Sequence, residues 1–238
     1  KRSGARHRCN MNLIAKIKSI ESRIESAQKK SGFNHPVQII AVTKTHPFQT
    51  IKEAYNAGIT SIGENRVQEV SQKFESFEHM PNITKRFIGH LQTNKVKKCI
   101  TLFDTIDSVD SLKLAKKISQ VAETFNRTVS VLLEINTSGE RQKHGFSPDH
   151  TENIMSCFNE KNIKIKGLMT LAPRTTDKGR LRNSFFQLRE LRDRIKHSLK
   201  TDQMTELSMG MSGDYEIAVE EGSTMIRLGT KLFGKRDT

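Results

Sequence analysis

The sequence predicts an α/β chain whose eight parallel strands close into a (β/α)8 TIM-type barrel, preceded by one extra helix. Three observations carry that expectation. Short β-branched runs alternate with amphipathic stretches from Val37 onward, and such alternation implies parallel strands joined by helical crossovers. The strand-like runs number eight, the count that closes a sheet of this kind on itself. No Pro/Gly/Ser-rich linker divides the 238 residues, so a single domain fits the length. A doubly wound open sheet is the alternative reading of the same alternation.

The elements follow in order. Leu13, Ile17, Ile20, Ile24 and Ala27 recur at steps of three and four, which predicts an amphipathic helix over residues 12–28, placed to cap the closed end of the barrel. Val37–Thr43 is short, apolar and β-branched between Pro36 and Pro47, a buried strand. Pro47 opens a helix, where its missing N–H costs nothing, and Gly58 stops it. Further strands are expected near 60–63, 86–89, 102–106, 129–135, 163–169, 205–209 and 224–228. Helices lie between them, including 110–123 and 181–199; in the latter Leu181, Phe185, Leu188, Ile195 and Leu199 form the inner stripe. Residues 1–11 continue no pattern and read as a tail, disordered or foreign to the domain, which leaves 12–238 as one barrel domain.

Composition narrows the class. No apolar run reaches the roughly 18–20 residues that span a bilayer, and residues 1–10 lack the apolar core of a secretory signal. Cys9, Cys99 and Cys157 are odd in number and widely spaced, which gives neither a disulfide framework nor a metal-binding pair. A cytoplasmic protein without a membrane partner is expected. Forty basic against 26 acidic residues give a net charge of +14, and such an excess suits polynucleotides or phosphorylated small molecules. Four of the basic residues fall in the first eight positions, and seven more in 180–200 face two acids. Solvated surface is the simpler account of both clusters.

In a barrel the chemistry collects at the C-terminal ends of the strands. Read in order, those ends carry Lys44; Glu64-Asn65-Arg66; His90 with Gln92 and Asn94; Asp107-Ser108; Asn136–Glu140; Met169-Thr170; Ser212-Gly213-Asp214; and Arg227 with Gly229-Thr230. Lys44 ends a β-branched strand, so its stem is walled by core. A desolvated amine loses proton affinity and becomes a nucleophile for carbonyl carbon. The structural alternative is a lysine snorkelling from a strand end to water. Ser212-Gly213 and Gly229-Thr230 follow the last two strands, where barrels recurrently hold a phosphate on backbone N–H groups; an ordinary helix cap and a tight turn explain the same residues. Other motifs fail. Gly229–Lys235 fits a phosphate-binding P-loop until Arg236 stands where serine or threonine is needed. Gly210-Met-Ser212-Gly213 misplaces the last glycine of a nucleophile elbow. The eight histidines have no metalloprotease spacing, so no metal is expected.

Five segments together carry a resemblance. Ala41-Val-Thr-Lys44-Thr, Ile62-Gly-Glu-Asn65, Phe87-Ile-Gly-His90-Leu-Gln-Thr-Asn94-Lys, Leu207-Ser-Met-Gly-Met-Ser212-Gly-Asp214 and Ile226-Arg227-Leu-Gly-Thr230-Lys-Leu-Phe-Gly234 stand in one order over residues 12–236. They closely resemble the pyridoxal phosphate homeostasis protein family, whose members look like the N-terminal barrel of alanine racemase standing alone. The resemblance implies pyridoxal 5'-phosphate (PLP) as cofactor, bound as a Schiff base on Lys44. It implies that Ser212, Gly213, Gly229 and Thr230 hold the phosphate and that Arg227 faces the pyridine nitrogen. Asn65 and Met169 line the ring, with His90 near the mouth. Lys85-Arg86 depart from the family's usual aromatic and histidine before Phe87.

The function so implied is a carrier and buffer of PLP, serving vitamin B6 and amino-acid homeostasis without substantial turnover and passing the cofactor to PLP-dependent apoenzymes. A guanidinium beside the ring nitrogen weakens the electron sink that a carboxylate there would create. The two tyrosines, Tyr55 and Tyr215, fall in helices rather than at the mouth. The sequence ends soon after the eighth strand, so a monomer without a second domain is expected. Two alternatives stay open: a weak amino-acid racemase, and a basic nucleic-acid-binding protein. The second lacks a stacking platform, having no tryptophan.

Overall fold

The β-branched runs become strands because their side chains fill both sides of a sheet wrapped by helices. The computed structural model describes the backbone of residues 2–140 and 142–234, and side chains from residue 12 onward within them. α1 (Arg2–Ser31) precedes β1 (Gln38–Val42), and α2 (Phe48–Asn56) leads to β2 (Ser61–Glu64). α3 (Val67–Lys73), β3 (Thr84–Phe87), α4 (Val96–Leu102) and β4 (Thr105–Val109) follow. Next come α5 (Leu112–Thr124), β5 (Val129–Glu134), α6 (Thr151–Ser156) and β6 (Ile163–Met169). α7 (Lys178–Leu199), β7 (Glu206–Met211), α8 (Tyr215–Glu220), β8 (Met225–Leu228) and α9 (Thr230–Phe233) complete the order. The strands pair in parallel from β1 to β8, and β8 returns to β1 through Ile40↔Arg227 and Ala41↔Leu228. The barrel is closed, which decides against the open sheet.

Three kinds of side chain succeed one another inside the barrel. At the N-terminal end of the strands the buried Arg86 guanidinium reaches Asp107 Oδ2 at 3.1 Å, Ser61 Oγ at 3.0 Å and Glu206 Oε2 at 3.5 Å. This network closes the bottom with each buried charge paired. Ile40, Leu132, Met169 and Met225 form a small apolar cluster above it. Gly63 lies at the same height, and a Cβ there would come within 2.9 Å of Ile88 and 3.1 Å of Ile40. Arg227, Ser208, Thr170 and Glu134 occupy the C-terminal mouth, all buried.

The helical stripe predicted for residues 12–28 is the buried face of α1: Leu13, Ile17, Ile20, Ile24 and Ala27 are all below one tenth exposed. Each large aliphatic side chain buried there contributes roughly 1.5–3 kcal/mol. The helix does not cap the closed end, as the sequence suggested. It lies in the outer ring against α8, α9 and α2, and Lys16 Nζ donates to Leu232 O at 3.0 Å. Where a tail was expected, the described backbone of residues 2–11 continues α1, and the side chains of these residues lie outside those described. α7 carries its predicted inner stripe and is capped by Asp177, whose side chain accepts from the N–H groups of Gly179 and Arg180.

The fourth strand corrects the sequence reading. Leu102 and Phe103 look like the start of a strand, but they end α4, and β4 begins at Thr105. Short apolar runs carry no period that separates the two cases. The shift matters because Asp107 then sits low in the barrel with Arg86, and Asp110 takes its place at the mouth.

Candidate functional site

Lys44 stands two residues past β1, partly buried, with its neighbourhood braced from below. Thr43 Oγ1 donates to Glu64 Oε1 at 2.5 Å, and Lys73 Nζ donates to Thr43 O at 2.7 Å while pairing with the same Glu64 carboxylate. Glu64 is fully buried, and its Oε2 accepts no hydrogen bond among the described residues. On the other side Thr45 has φ +66° and its hydroxyl donates to Lys44 O at 2.5 Å. A β-branched residue in the left-handed region is strained, and such strain persists only where its surroundings impose it. Lys44 is thus held between a buried ion pair and a constrained turn.

The loops after β7 and β8 join beside it. Lys231 N donates to Ser212 Oγ at 3.3 Å, which ties the two loops together. A Cβ on Gly229 would lie 3.5 Å from Val42 O, at the end of the strand that leads to Lys44. Gly213 is open to solvent with nothing within 4 Å of its Cβ position, and Thr230 is exposed at the start of α9. Ser212, Gly213, Gly229 and Thr230 therefore share the mouth with Lys44, as predicted.

Arg227 is buried, and its partners are neutral oxygens. Nη1 donates to Ser208 O at 2.7 Å and Ser208 Oγ at 2.6 Å, and Nη2 donates to Thr170 O at 2.7 Å. Burial lowers its proton affinity, opposed by the fields of Asp107, Asp214 and Glu134. Glu134 is pushed up to about 7, first by burial and then by the like charge of Asp110, with Arg227 pulling the other way. Sequence reasoning missed Glu134 and Ser208 as site residues; their signal was the alternation along β5 and β7, which sends these polar side chains inward. Thr170, read at its strand end, meets Arg227 through its backbone carbonyl.

The remaining predicted residues differ in kind. Asn65 follows β2, and a Cβ on Gly89 would fall 2.3 Å from its carbonyl oxygen, so the β2 and β3 ends touch only because residue 89 is glycine. Met169 is buried in the interior apolar cluster beneath the mouth. His90 is exposed on the rim, its Nδ1 3.0 Å from Asp110 Oδ2. A cleft of about 550 Å³ lies elsewhere, between Asn136, Lys143 and Asp149 on one side and Asn183 and Gln187 of α7 on the other, and none of the residues predicted to hold the cofactor lines it.

The sequence matches the family described as alanine racemase, N-terminal domain, over residues 16–237. It is 38% identical over 228 residues to the pyridoxal phosphate homeostasis protein of Aquifex aeolicus, covering 95% of this chain and 99% of that one. The protein of the same description from Vibrio cholerae is 38% identical over 226 residues, with 93% and 95% covered. The chain belongs to the pyridoxal phosphate homeostasis protein family. Among solved structures of similar proteins, PipY of Synechococcus elongatus with PLP bound is 34% identical with a TM-score of 0.81, covering 93% of this chain and all of that one. An alanine racemase of Clostridium difficile, 16% identical with a TM-score of 0.70, shares the fold; this chain spans 56% of it.

Proposed function

We propose that this protein binds pyridoxal 5'-phosphate through Lys44 and carries and buffers it, in the service of vitamin B6 and amino-acid homeostasis, rather than turning over a substrate. The observation that carries the reading is the meeting of the Ser212–Lys231 link with the end of β1, which sets an anion cradle beside an amine. When bound, the cofactor supplies an aldehyde that a lysine amine captures reversibly as a Schiff base. The donor set present fits that molecule. Two hydroxyls (Ser212 and Thr230) and the backbone N–H groups of Gly213 and Gly229 suit a phosphate. Arg227, fixed by Ser208 and Thr170, directs positive charge at the ring nitrogen and holds it unprotonated. Asn65 would flank the ring, Met169 would form the apolar floor beneath it, and His90 would stand at the rim.

The arrangement suits a carrier because the groups that complete a racemisation are placed elsewhere. Tyr55 donates its hydroxyl to Pro81 O at 2.9 Å on the outer surface, and Tyr215 is buried in the cluster shared with α1. A cation beside the ring nitrogen also works against carbanion stabilisation. Several basic residues of α7 are engaged by acids: Arg182 with Glu220 and Glu221, Arg189 with Glu221, and Lys196 with Asp202. That favours solvated surface over a polynucleotide site.

One barrel mouth carries every group assigned to the cofactor, and we read the protein as a monomer. The domain we assign is residues 12–238, with 1–11 adding nothing to the affinity, and its acceptors are PLP-dependent apoenzymes. Cys99 and Cys157 are buried free thiols, Cys157 pushed up to about 12 by burial, which suits a reducing compartment such as the cytoplasm. Among the described residues no helix is long and apolar enough to cross a membrane.

The test is to mix the purified protein with PLP, reduce with borohydride and map the modified peptide. The label is expected on Lys44 alone, and Lys44→Ala is expected to lose the visible absorbance of the bound cofactor while keeping the fold. A label on another lysine, or undiminished absorbance in the variant, refutes the assignment.

A further inference from the structure

The rim of the mouth holds a second cluster, built around His90 and set apart from the amine and the phosphate loops. His90, Asp110 and His144 each present one ligand atom, and these atoms lie within 4.8 Å of one another. The two imidazole rings stack at 3.8 Å between centroids with 12° between planes. Their Nδ1 atoms face one carboxylate oxygen, Asp110 Oδ2, at 3.0 Å from His90 and 3.7 Å from His144. The second distance is beyond a hydrogen bond. Among the described residues nothing hydrogen-bonds to the His144 ring.

Each of the three side chains is fixed from behind. Ser111 Oγ donates to Asp110 Oδ1 at 3.0 Å, which leaves Oδ2 directed at the rings. Ser108 Oγ donates to Gly89 O at 2.5 Å, holding the segment that carries His90 onto the end of β4. Next to His144, Gly145 has φ +115° and a Cβ there would lie 2.8 Å from Asn136 N. Phe146 N then donates to Glu134 O at 2.8 Å, and Asn136 N to Phe146 O at 2.9 Å. The loop is thereby pinned to the end of β5. The carboxylate is 11% exposed, and the rings are 46% and 57% exposed. An ion therefore meets one buried anionic ligand and two accessible neutral ones.

We propose that His90, Asp110 and His144 form a binding site for a zinc-like divalent transition-metal ion, with the fourth position open to solvent. Two imidazoles and one carboxylate are a recurrent three-ligand set for such ions, and imidazole selects them over magnesium and calcium. Ligand bonds near 2.1 Å in a tetrahedron need donor atoms about 3.4 Å apart. The two histidine–Asp110 pairs bracket that separation at 3.0 and 3.7 Å, so the adjustment falls to the two exposed rings. The Ser111 bond supplies the outer-shell orientation that metal-ligating carboxylates use. The site is separate from the amine and the phosphate loops, and its existence does not depend on the cofactor reading.

The test uses the full chain, stripped with chelator and studied without PLP, titrated with zinc chloride by calorimetry. One ion per chain with micromolar or tighter affinity is expected. His144→Gln and Asp110→Asn are each expected to weaken it by about tenfold or more, while His79→Gln, on the surface elsewhere, leaves it unchanged. His144→Gln decides the matter if Asp110→Asn does not fold, because the His144 ring is exposed. Absence of stoichiometric binding to the wild-type chain overturns the proposal. So does zinc affinity that His144→Gln leaves unaltered, because the ion then sits elsewhere.

Discussion

Lys73→Met tests whether the buried pair beneath Lys44 behaves as its geometry requires. Lys73 is the cation on Glu64, whose side chain is wholly buried and whose Oε2 already lacks a partner among the described residues. Removing the ammonium leaves the carboxylate with the Thr43 hydroxyl alone. Breaking one side of a buried pair costs about 3–5 kcal/mol, a large share of the roughly 5–15 kcal/mol that holds a domain folded. Replacing both partners, in Glu64→Leu with Lys73→Met, removes the stranded charge. It leaves the lost bond to Thr43 O and a Thr43 hydroxyl without its acceptor, about 1 kcal/mol each. The double variant is therefore expected to be more stable than the single one by about 1–3 kcal/mol. Urea unfolding reads this directly. At a slope of about 3 kcal/mol per molar, Lys73→Met shifts the midpoint down by roughly 1 M or more. The chain has no tryptophan, so far-ultraviolet circular dichroism is the signal. Equal losses in the single and double variants, or a loss below about 1 kcal/mol in the single, refute the reasoning.

Three further outcomes follow from the same geometry. Ser212→Ala combined with Thr230→Ala is expected to weaken PLP far more than pyridoxal, each lost charge-assisted bond being worth roughly 1.5–3 kcal/mol before water replaces part of it; equal weakening, measured by titrating absorbance, removes these hydroxyls from the phosphate site. Glu134 is raised to about 7 in the folded chain from an ordinary 4.5, so the native state binds the extra proton, and stability is expected to fall as pH rises through that window. Glu134→Gln is expected to remove that part of the slope, on the order of 3 kcal/mol, in urea melts at pH 5 and pH 8 with chelator present. Thr45→Gly is expected to relieve about 1 kcal/mol of left-handed strain yet weaken PLP, because the turn that positions Lys44 loosens; a variant both more stable and tighter-binding contradicts a positioning role for that turn.

Strand order, the inner stripe of α7 and the mouth as the site of Lys44, Ser212 and Arg227 were legible because each rests on local pattern: period two, period near four, and polar residues at strand ends. What escaped depended on register. The end of α4 and the start of β4 share one apolar run, and a three-residue shift there exchanges Asp107 for Asp110 at the mouth. His144 reaches the rim because Phe146 bridges back to Ile135, a contact that no periodicity in the loop announces. The Glu64–Lys73 pair likewise joins β2 to the last turn of α3, and charge spacing alone does not separate it from a surface pair.

The two arginines inside the barrel explain why only one end of it is suited to an anionic ligand. Arg86 and Arg227 are both buried, at 6% and 3% exposure, so each carries a desolvation cost that its partners must offset. Arg86 meets Asp107 and Glu206 directly, and those carboxylates raise its proton affinity in spite of burial. Its charge is spent within the fold, and the bottom of the barrel is electrically closed. Arg227 meets two carbonyl oxygens and a hydroxyl, and burial prevails. The fields of Asp107, Asp214 and Glu134 offset only part of that cost, and none of the three bonds the guanidinium. Positive potential at the mouth is therefore left without a direct counter-ion among the described residues. A molecule with a phosphate at the loops after β7 and β8 completes that balance, and it does so beside the one strand end that carries Lys44. The same imbalance resists a carbanion sink, since a cation that must stay charged withholds a proton from a ring nitrogen facing it. On the proposed reading, retention of the cofactor and reluctance to react share a single cause, the neutral company that Arg227 keeps.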